Sequence, residues 1–227
     1  ARPDRGDAAQ AESPRVKRAG PIRNATAGIV LLHGRGGQAA DILTLMAHAA
    51  LPDVAAIAPE APGNSWWPTS FLAPAAQMDP FVTRALAQVQ QAIDRLQAEG
   101  IPRASIWLAG FSQGACLAAE AYARIGAPLA GLLAFSGGLV GTADAAGDPT
   151  PALYNHGPKR FDYQGRRQGK VWLSVHERDP HIPLQRVQDT ATTLTALGAT
   201  VETQVYPGAG HGVMRDDITA LRRHLAP

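Results

Sequence analysis

The sequence contains a single cysteine, Cys116, among 227 residues, and this excludes an intrachain disulfide. Only 18% of the residues are charged, yet no apolar run approaches the ~20 residues that a membrane-spanning helix requires. The first residues also lack the apolar core of a signal peptide. Because one cysteine suits a reducing compartment, we expect a cytoplasmic protein without integral membrane association.

Basic charge is scarce outside the first residues. Residues 1–23 hold six basic residues and three acids, a net charge of +3, which leaves about −1 for the rest of the chain. The body therefore lacks the basic surface of a nucleic-acid-binding protein, and we expect no nucleic-acid partner. Residues 1–25 are predicted to form a flexible basic leader. Residues 26–227 are predicted to form one domain, since neither a repeat nor a composition break marks a second.

Hydrophobic residues, 45% of the chain, occur in short apolar runs that alternate with segments of helical period. Runs that are apolar at every position are typical of strands covered on both faces. The alternation predicts an α/β fold with a mostly parallel central sheet and helices on both faces. The predicted strands are 28–32, 54–58, 105–111, 130–135, 170–175 and 200–206. The predicted helices are 38–50, 78–99, 113–126, 184–197 and 214–225, and the irregular stretches are 59–77 and 137–169.

A Gly-x-Ser-x-Gly motif, residues 110–114, follows the third of these strands and opens a helix. A serine on such a strand-to-helix turn exposes its hydroxyl above the sheet, and the helix N-terminus stabilises developing negative charge. Gly110 and Gly114 are expected where side chains would collide with the neighbouring strand and helix. A glycine-flanked turn with an incidental serine is the alternative, but the strand and helix on either side favour Ser112 as a nucleophile.

A nucleophilic serine needs a base, and the base needs an acid to orient it. His211 lies in a glycine-rich loop directly after the last predicted strand, the expected place for the base. Asp179 follows the preceding strand in an Asp-Pro turn and is the predicted acid, with Glu177 as its nearest rival and Asp162 as a weaker one. The acids in predicted helices are interpreted as solvated charges: Asp189, Asp216 and Asp217.

A glycine-rich loop, His33-Gly34-Arg35-Gly36-Gly37, follows the first predicted strand. Acyl transfer places negative charge on a carbonyl oxygen, which two backbone N–H groups usually hold. The loop could also cradle a phosphate, but it lacks the endings of the known phosphate-binding motifs. We therefore predict an oxyanion hole formed by the N–H groups of Arg35 and Gln113.

Together, the segments 32–36, 110–115, 179–183 and 210–212 make the chain similar to the phospholipase/carboxylesterase family of α/β-hydrolases. The resemblance runs from about residue 26 to the C-terminus. It implies an α/β-hydrolase fold that cleaves carboxylic esters or thioesters without a cofactor or metal, through Ser112, Asp179 and His211. The chain departs from the family in the glycine-rich loop, because many members carry leucine at the position of Arg35 and an aspartate shortly after, where this chain has Gly36-Gly37. Segment 64–71 resembles a bacterial branch found with aromatic-ring-degrading enzymes more than the thioesterases that act on lipid-modified proteins.

Trp66, Trp67, Phe71 and Leu72 form the densest apolar cluster outside the predicted core elements. Aromatic side chains on a loop supply a large, rigid contact surface, so these residues are predicted to bind the apolar part of a small-molecule ester. The alternative is a loop that buries its own aromatic residues.

Four other functions stay open on the sequence alone. The same three residues could serve a (lyso)phospholipase or an acyl-thioesterase. A dienelactone-hydrolase-like enzyme is disfavoured because that class normally uses cysteine where this chain has Ser112. A non-catalytic ligand-binding protein with the same fold is disfavoured because such proteins often lack one of the three residues. The oligomeric state, monomer or homodimer, stays open.

Overall fold

A seven-stranded sheet forms the centre of the fold in the computed structural model, which describes residues 15–126, 128–144 and 157–226. The spatial order is β1-β3-β2-β4-β5-β6-β7, and every neighbouring pair is parallel except β1 with β3. This confirms the predicted α/β fold, and all six predicted strands are present. The strands are β1 (Val16–Ala19), β2 (Ala27–Leu32), β3 (Val54–Pro59), β4 (Ile106–Phe111), β5 (Gly131–Phe135), β6 (Lys170–Arg178) and β7 (Thr200–Ala209).

Helices cover both faces of this sheet, as predicted. Helices α2, α3 and α4 pack against one face, and α1 and α5 pack against the other. In β2, Val30 and Leu32 face the first group, whereas Ile29 and Leu31 face the second, so a run that is apolar at every position is buried throughout. The helices are α1 (Ala39–Ala49), α2 (Ala75–Ala98), α3 (Gln113–Arg124), α4 (Leu184–Ala196) and α5 (Arg215–Leu225).

Helix α2 begins three residues before its predicted start at 78. The first N–H groups of a helix have no partner within the helix and must find one elsewhere. Here the Ala75 N–H donates to the carbonyl of Thr142 (3.1 Å), and the Ala76 N–H donates to Asp144 Oδ1 (2.9 Å). These partners lie almost 70 residues away, so the hydrophobic periodicity of the helix could not indicate them.

The predicted leader, 1–25, is wrong for residues 16–19, which form β1 and pair antiparallel with β3 at the edge of the sheet. A distant partner holds the charge of this segment: the Arg18 guanidinium donates to both carboxylate oxygens of Glu99, at 2.6 and 3.0 Å. This ion pair lowers the pKa of Glu99 below its ordinary value. Residues 1–14 of the predicted leader lie outside the described residues.

Strands β6 and β7 run beyond their predicted ends, to Arg178 and Ala209. Asp179 therefore follows β6 directly, and His211 lies two residues after β7. Ser112 directly follows β4. Because parallel strands bring their carboxyl ends to the same edge of a sheet, these three residues meet there. Within the described ranges, no helix is both long and apolar enough to cross a bilayer.

Candidate active site

Ser112 lies on a tight turn between β4 and α3. Its backbone has φ +54° and ψ −120°, a left-handed conformation that non-glycine residues rarely adopt. The Ser112 N–H donates to the carbonyl of Phe135 on the neighbouring strand β5 (3.0 Å), and the Ser112 carbonyl accepts from the N–H of Cys116 (3.0 Å). The turn is thus held from both sides, which keeps a strained residue in one orientation.

The two glycines of the motif allow the turn to pack closely. A Cβ atom on Gly110 would lie 2.3 Å from the carbonyl oxygen of Gly114, and one on Gly114 would lie 2.0 Å from that of Leu32. Both collisions are with backbone atoms, which cannot move aside as the end of a flexible side chain can. The expected collisions with strand and helix are confirmed, and the contact with Leu32 ties α3 to the end of β2.

The imidazole of His211 is within hydrogen-bond distance of the serine. His211 Nε2 lies 2.8 Å from Ser112 Oγ, so the hydroxyl can donate to this nitrogen. The ring packs against Phe111, with centroids 5.0 Å apart, and meets the ring of His181 edge-on at 4.8 Å. The side chain is 18% exposed, so water or a substrate reaches one side of the ring while packing holds the other.

Asp179 completes a continuous chain of hydrogen bonds. Its Oδ2 atom accepts from His211 Nδ1 at 2.7 Å, and its Oδ1 atom accepts from the N–H groups of His181 (2.8 Å) and Ile182 (3.0 Å). The side chain has no solvent exposure. Burial alone would raise the pKa of Asp179, but the hydrogen bonds from His211 and the two backbone groups outweigh it and lower the pKa. The carboxylate is therefore ionised and fixes the proton of His211 on Nδ1.

The two rival acids lie elsewhere. Glu177 Oε2 accepts from the N–H of Gly208 at 2.9 Å, and this carboxylate is half exposed. Asp162 accepts from Gln164 Nε2 at 3.0 Å in the segment after residue 157 and does not line the cavity beside Ser112. Among the described residues, only the Asp179 carboxylate is hydrogen-bonded to His211.

The expected oxyanion donors flank the serine. Gln113 is the first residue of α3, and Arg35 lies in the loop between β2 and α1. This loop comes close to the serine, since a Cβ atom on Gly34 would lie 3.4 Å from Ser112 Cβ. Among the described residues, neither backbone N–H has a hydrogen-bond acceptor. Both N–H groups are therefore available to a substrate oxygen.

A cavity of about 540 Å³ opens beside Ser112. Trp67 and Phe71 line it, as predicted for a substrate-binding surface. Trp66 and Leu72 were predicted to lie on the same surface, but neither residue lines the cavity. Leu72 is 4% exposed and packs in the core, where its carbonyl accepts from the Thr142 hydroxyl (2.9 Å).

Trp66 does not line the cavity and instead contacts His33 at the start of the glycine-rich loop. Its Nε1 donates to the carbonyl of His33 at 2.9 Å, and its ring lies 5.2 Å from the His33 ring. His33 itself is buried, and its Nε2 atom accepts from the N–H of Ala61 at 3.0 Å. Sequence reasoning found one aromatic cluster here and could not tell which of two adjacent tryptophans faces the substrate.

Several cavity residues escaped the sequence analysis: Phe111, His181 and Ile182. Phe111 stands within the serine motif, and the other two stand within the Asp-Pro turn, so each neighbours a residue that had been identified. Proximity in sequence to the three predicted catalytic residues was a usable signal. Cys116 also lines the cavity; it is buried, and burial raises the pKa of its thiol to about 12.

Asp217 was interpreted as a solvated charge, and this is wrong. It is fully buried, and its Oδ1 atom accepts from Trp172 Nε1 (2.9 Å) and the Tyr206 hydroxyl (3.0 Å). Its Oδ2 atom accepts from the N–H of Met214 at 2.8 Å. Burial raises the pKa of Asp217 despite these bonds. The residue anchors the start of α5, and thereby the end of the loop that carries His211, to β6 and β7.

No group of three His, Cys, Asp or Glu side chains within 15–126, 128–144 and 157–226 is arranged to hold a metal ion. The chemistry available at the site is that of the serine hydroxyl, the imidazole, the carboxylate and two backbone N–H groups. A parallel sheet that carries a serine on a strand-to-helix turn, with a histidine and an acid after later strands, defines an α/β-hydrolase.

Comparison with known proteins gives the family. The model of the phospholipase/carboxylesterase family matches residues 15–157. The crystal structure of a phospholipase/carboxylesterase from Dyadobacter fermentans is 38% identical, covers 95% of this chain and 97% of its own, and superposes with a TM-score of 0.81. The chain belongs to the phospholipase/carboxylesterase family.

Two curated relatives match part of the chain. The acyl-protein thioesterase 1 of Gibberella zeae is 31% identical over 143 residues, which are 61% of this chain and 54% of the relative. A probable carboxylesterase of rice is 26% identical over 151 residues, 64% of this chain and 50% of the relative. The chain thus spans about half the length of the curated relatives it matches.

Proposed function

We propose that this protein is a serine carboxylesterase that hydrolyses small to medium carboxylic esters through an acyl-enzyme intermediate. The observation that carries the proposal is the unbroken chain of hydrogen bonds from Asp179 through His211 to Ser112, with both distances below 3 Å. An ionised aspartate behind a histidine leaves its Nε2 atom free to take the serine proton, and this makes the hydroxyl a nucleophile.

In the first half of the reaction, Ser112 Oγ attacks the ester carbonyl while its proton passes to His211 Nε2. The carbonyl oxygen becomes an oxyanion that the N–H groups of Arg35 and Gln113 stabilise. The tetrahedral intermediate collapses, the bond to the alcohol oxygen breaks, and His211 gives its proton to the departing alcohol. The serine then carries the acyl group.

In the second half, His211 takes a proton from water as the water oxygen attacks the acyl carbonyl. The bond to Ser112 Oγ breaks, the proton returns from His211 to the serine, and the carboxylic acid leaves. None of these reaction steps uses an atom of a cofactor. The cavity of about 540 Å³ lies within the ~300–1,000 Å³ range of small-molecule sites, which supports a substrate of small to medium size.

The test compares the wild-type protein with Ser112→Ala on a panel of p-nitrophenyl esters of increasing acyl length. We expect Ser112→Ala to lose at least about 10³-fold in kcat/KM and to escape labelling by a fluorophosphonate, measured by intact mass. Ser105→Ala, remote from the cavity, is the matched control and should retain both. Equal hydrolysis by Ser112→Ala and the wild-type protein would refute the proposal.

A second candidate is an acyl-thioesterase or (lyso)phospholipase that uses the same residues. The name of the 31% identical relative, acyl-protein thioesterase 1, favours it. The catalytic steps are unchanged, because a thiolate is a good leaving group. Kinetics with a butyryl ester, a butyryl thioester and a lysophospholipid separate these activities. A kcat/KM for the thioester far above that for the ester would assign the protein as an acyl-thioesterase instead.

A further inference from the structure

The segment 66–71, here called the wall loop, contributes residues 67–71 to one side of the cavity beside Ser112. It has no regular secondary structure between the short 3-10 turn at 62–64 and α2. A loop of this kind contacts a substrate reproducibly only if other groups hold it. Two side chains hold it here, and both belong to the residues whose backbone N–H groups are the expected oxyanion donors.

The carboxamide of Gln113 holds the wall loop from inside. Its Oε1 atom accepts from the N–H of Trp66 at 2.8 Å, and its Nε2 atom donates to the carbonyl of Trp67 at 2.9 Å. The Ser65 hydroxyl lies close to the same amide, at 3.3 and 3.4 Å. Gln113 is only 6% exposed, so these bonds are shielded from competing water. An oxyanion donor needs only its backbone N–H, and the buried amide therefore serves a different purpose.

The guanidinium of Arg35 holds the wall loop from outside. It donates through one nitrogen to the carbonyl of Pro68 at 3.0 Å and through another to the carbonyl of Thr69. A planar guanidinium that spans two successive carbonyls fixes their relative position as well as their distance. The aliphatic side chain that many family members carry at this position could make neither bond.

We propose that Gln113 and Arg35 are positioning residues that join the wall loop to the oxyanion hole as one rigid unit. Through their side chains, the surface formed by Trp67 and Phe71 keeps a constant distance from the N–H groups that hold the substrate carbonyl. This coupling sets which substrate length fits. The inference rests on the proposed function, because it assigns these N–H groups to an oxyanion.

The test removes one anchor at a time and follows length selectivity. Gln113→Ala keeps the backbone N–H and deletes both bonds to the wall loop. We expect the ratio of kcat/KM between p-nitrophenyl octanoate and acetate to fall about 25-fold, mainly through KM, since each of the two lost bonds contributes a factor of about five. The acetate ester carries the shortest acyl group of the panel and therefore serves as the reference. Gln113→Glu retains an oxygen that accepts from the N–H of Trp66, but its second oxygen would face the carbonyl oxygen of Trp67 without a proton between them. The octanoate-to-acetate ratio of this variant should therefore lie between those of Gln113→Ala and the wild-type protein.

A second measurement does not depend on turnover. Acrylamide quenching of tryptophan fluorescence should increase in Gln113→Ala, because Trp66 and Trp67 lose their anchor, whereas Trp107 and Trp172 stay packed in the sheet. A substitution that merely destabilised the fold would lower the fraction of titratable active sites. It would leave the length ratio and the quenching of the folded fraction unchanged, and that result would overturn the proposal.

If Gln113→Ala does not fold, Arg35→Leu tests the same coupling at an exposed position, where a substitution disturbs the fold less. Arg23→Leu is the control, because it removes the same charge from another exposed position. Arg35→Leu should lower the octanoate-to-acetate ratio of kcat/KM, as Gln113→Ala does, and Arg23→Leu should leave this ratio unchanged. Equal ratios for Arg35→Leu and the wild-type protein would overturn the coupling. A wild-type protein that hydrolyses no ester and resists fluorophosphonate would instead refute the proposed function, so the two failures are distinguishable.

Discussion

Replacing Asp179 with asparagine tests which carboxylate orients the candidate base. Asparagine can keep the bonds from the N–H groups of His181 and Ile182 through its carbonyl oxygen. Its amide nitrogen would then face His211 Nδ1 across the 2.7 Å contact that the carboxylate now fills. Two donors cannot share that contact, so the imidazole shifts its proton to Nε2. In that tautomer the histidine donates to Ser112 and no longer accepts its proton.

The expected loss follows from this change of tautomer. We expect kcat to fall about 10³- to 10⁴-fold, a loss of about 4 to 5.5 kcal/mol in transition-state stabilisation. The matched substitution is Glu177→Gln, which removes a carboxylate two residues away. Its Oε2 atom accepts from the N–H of Gly208, which a glutamine oxygen can also do, and its 3.9 Å ion pair with Arg178 is exposed and therefore weak. Glu177→Gln should therefore stay within about twofold of the wild-type protein.

The assay is the steady-state hydrolysis of p-nitrophenyl butyrate between pH 6 and 9, with thermal unfolding measured in parallel. Asp179→Asn should retain its fold and lose kcat at every pH in this range. Full activity in Asp179→Asn together with a large loss in Glu177→Gln would refute the assignment of the acid. Equal, small effects of both substitutions would refute the role of any carboxylate behind His211.

Three further predictions concern stability. Asp217→Ala leaves two buried donors and the partly buried N–H of Met214 without an acceptor and should cost about 3 kcal/mol in urea unfolding, whereas the exposed neighbour substitution Asp216→Ala should cost under about 0.5 kcal/mol; similar values would contradict the buried network. Gly114→Ala should lower stability by about 1–3 kcal/mol and reduce activity, because its Cβ atom would lie 2.0 Å from the carbonyl oxygen of Leu32; unchanged melting would contradict that contact. Because the folded-state pKa of Asp179 is lowered, its ionised form stabilises the fold above its unfolded pKa of about 3.9, and this contribution should vanish as the pH falls through the folded pKa. The stability difference between the wild-type protein and Asp179→Asn should therefore shrink in acid, and a difference that grew would contradict the lowered pKa.

Local patterns were sufficient wherever a residue's environment repeats along the chain. The run 29–32 is apolar at every position because both faces of β2 are covered, and the period of α2 follows its one buried stripe. Gly110 could be predicted for a similar reason, because its collision is with the helix that follows it, whereas the collision of Gly114 is with the distant end of β2.

Long-range partners were beyond the reach of such patterns. Segment 16–19 has the charge of a leader, and only its pairing with β3 and the bond from Arg18 to Glu99 order it. Asp217 has the sequence setting of a solvated helix residue, and only the approach of Trp172 and Tyr206 makes it a buried acceptor. Burial of a polar group depends on what packs over it, and that partner can be anywhere in the chain.

The sequence by itself determined the alternation of strands and helices, the turn that carries Ser112, and the loop that carries His211, since each depends on neighbouring residues. The tertiary structure decided which of Asp179 and Glu177 contacts His211, because Asp179 lies in the turn after β6, 2.7 Å from His211 Nδ1, whereas Glu177 lies within β6 and accepts from the N–H of Gly208. It also decided that Trp67 faces the cavity and Trp66 the glycine-rich loop, since the amide of Gln113 holds the backbone of both. Reactivity here depends on distances of about 3 Å between residues up to 99 positions apart, and only the folded chain sets those distances.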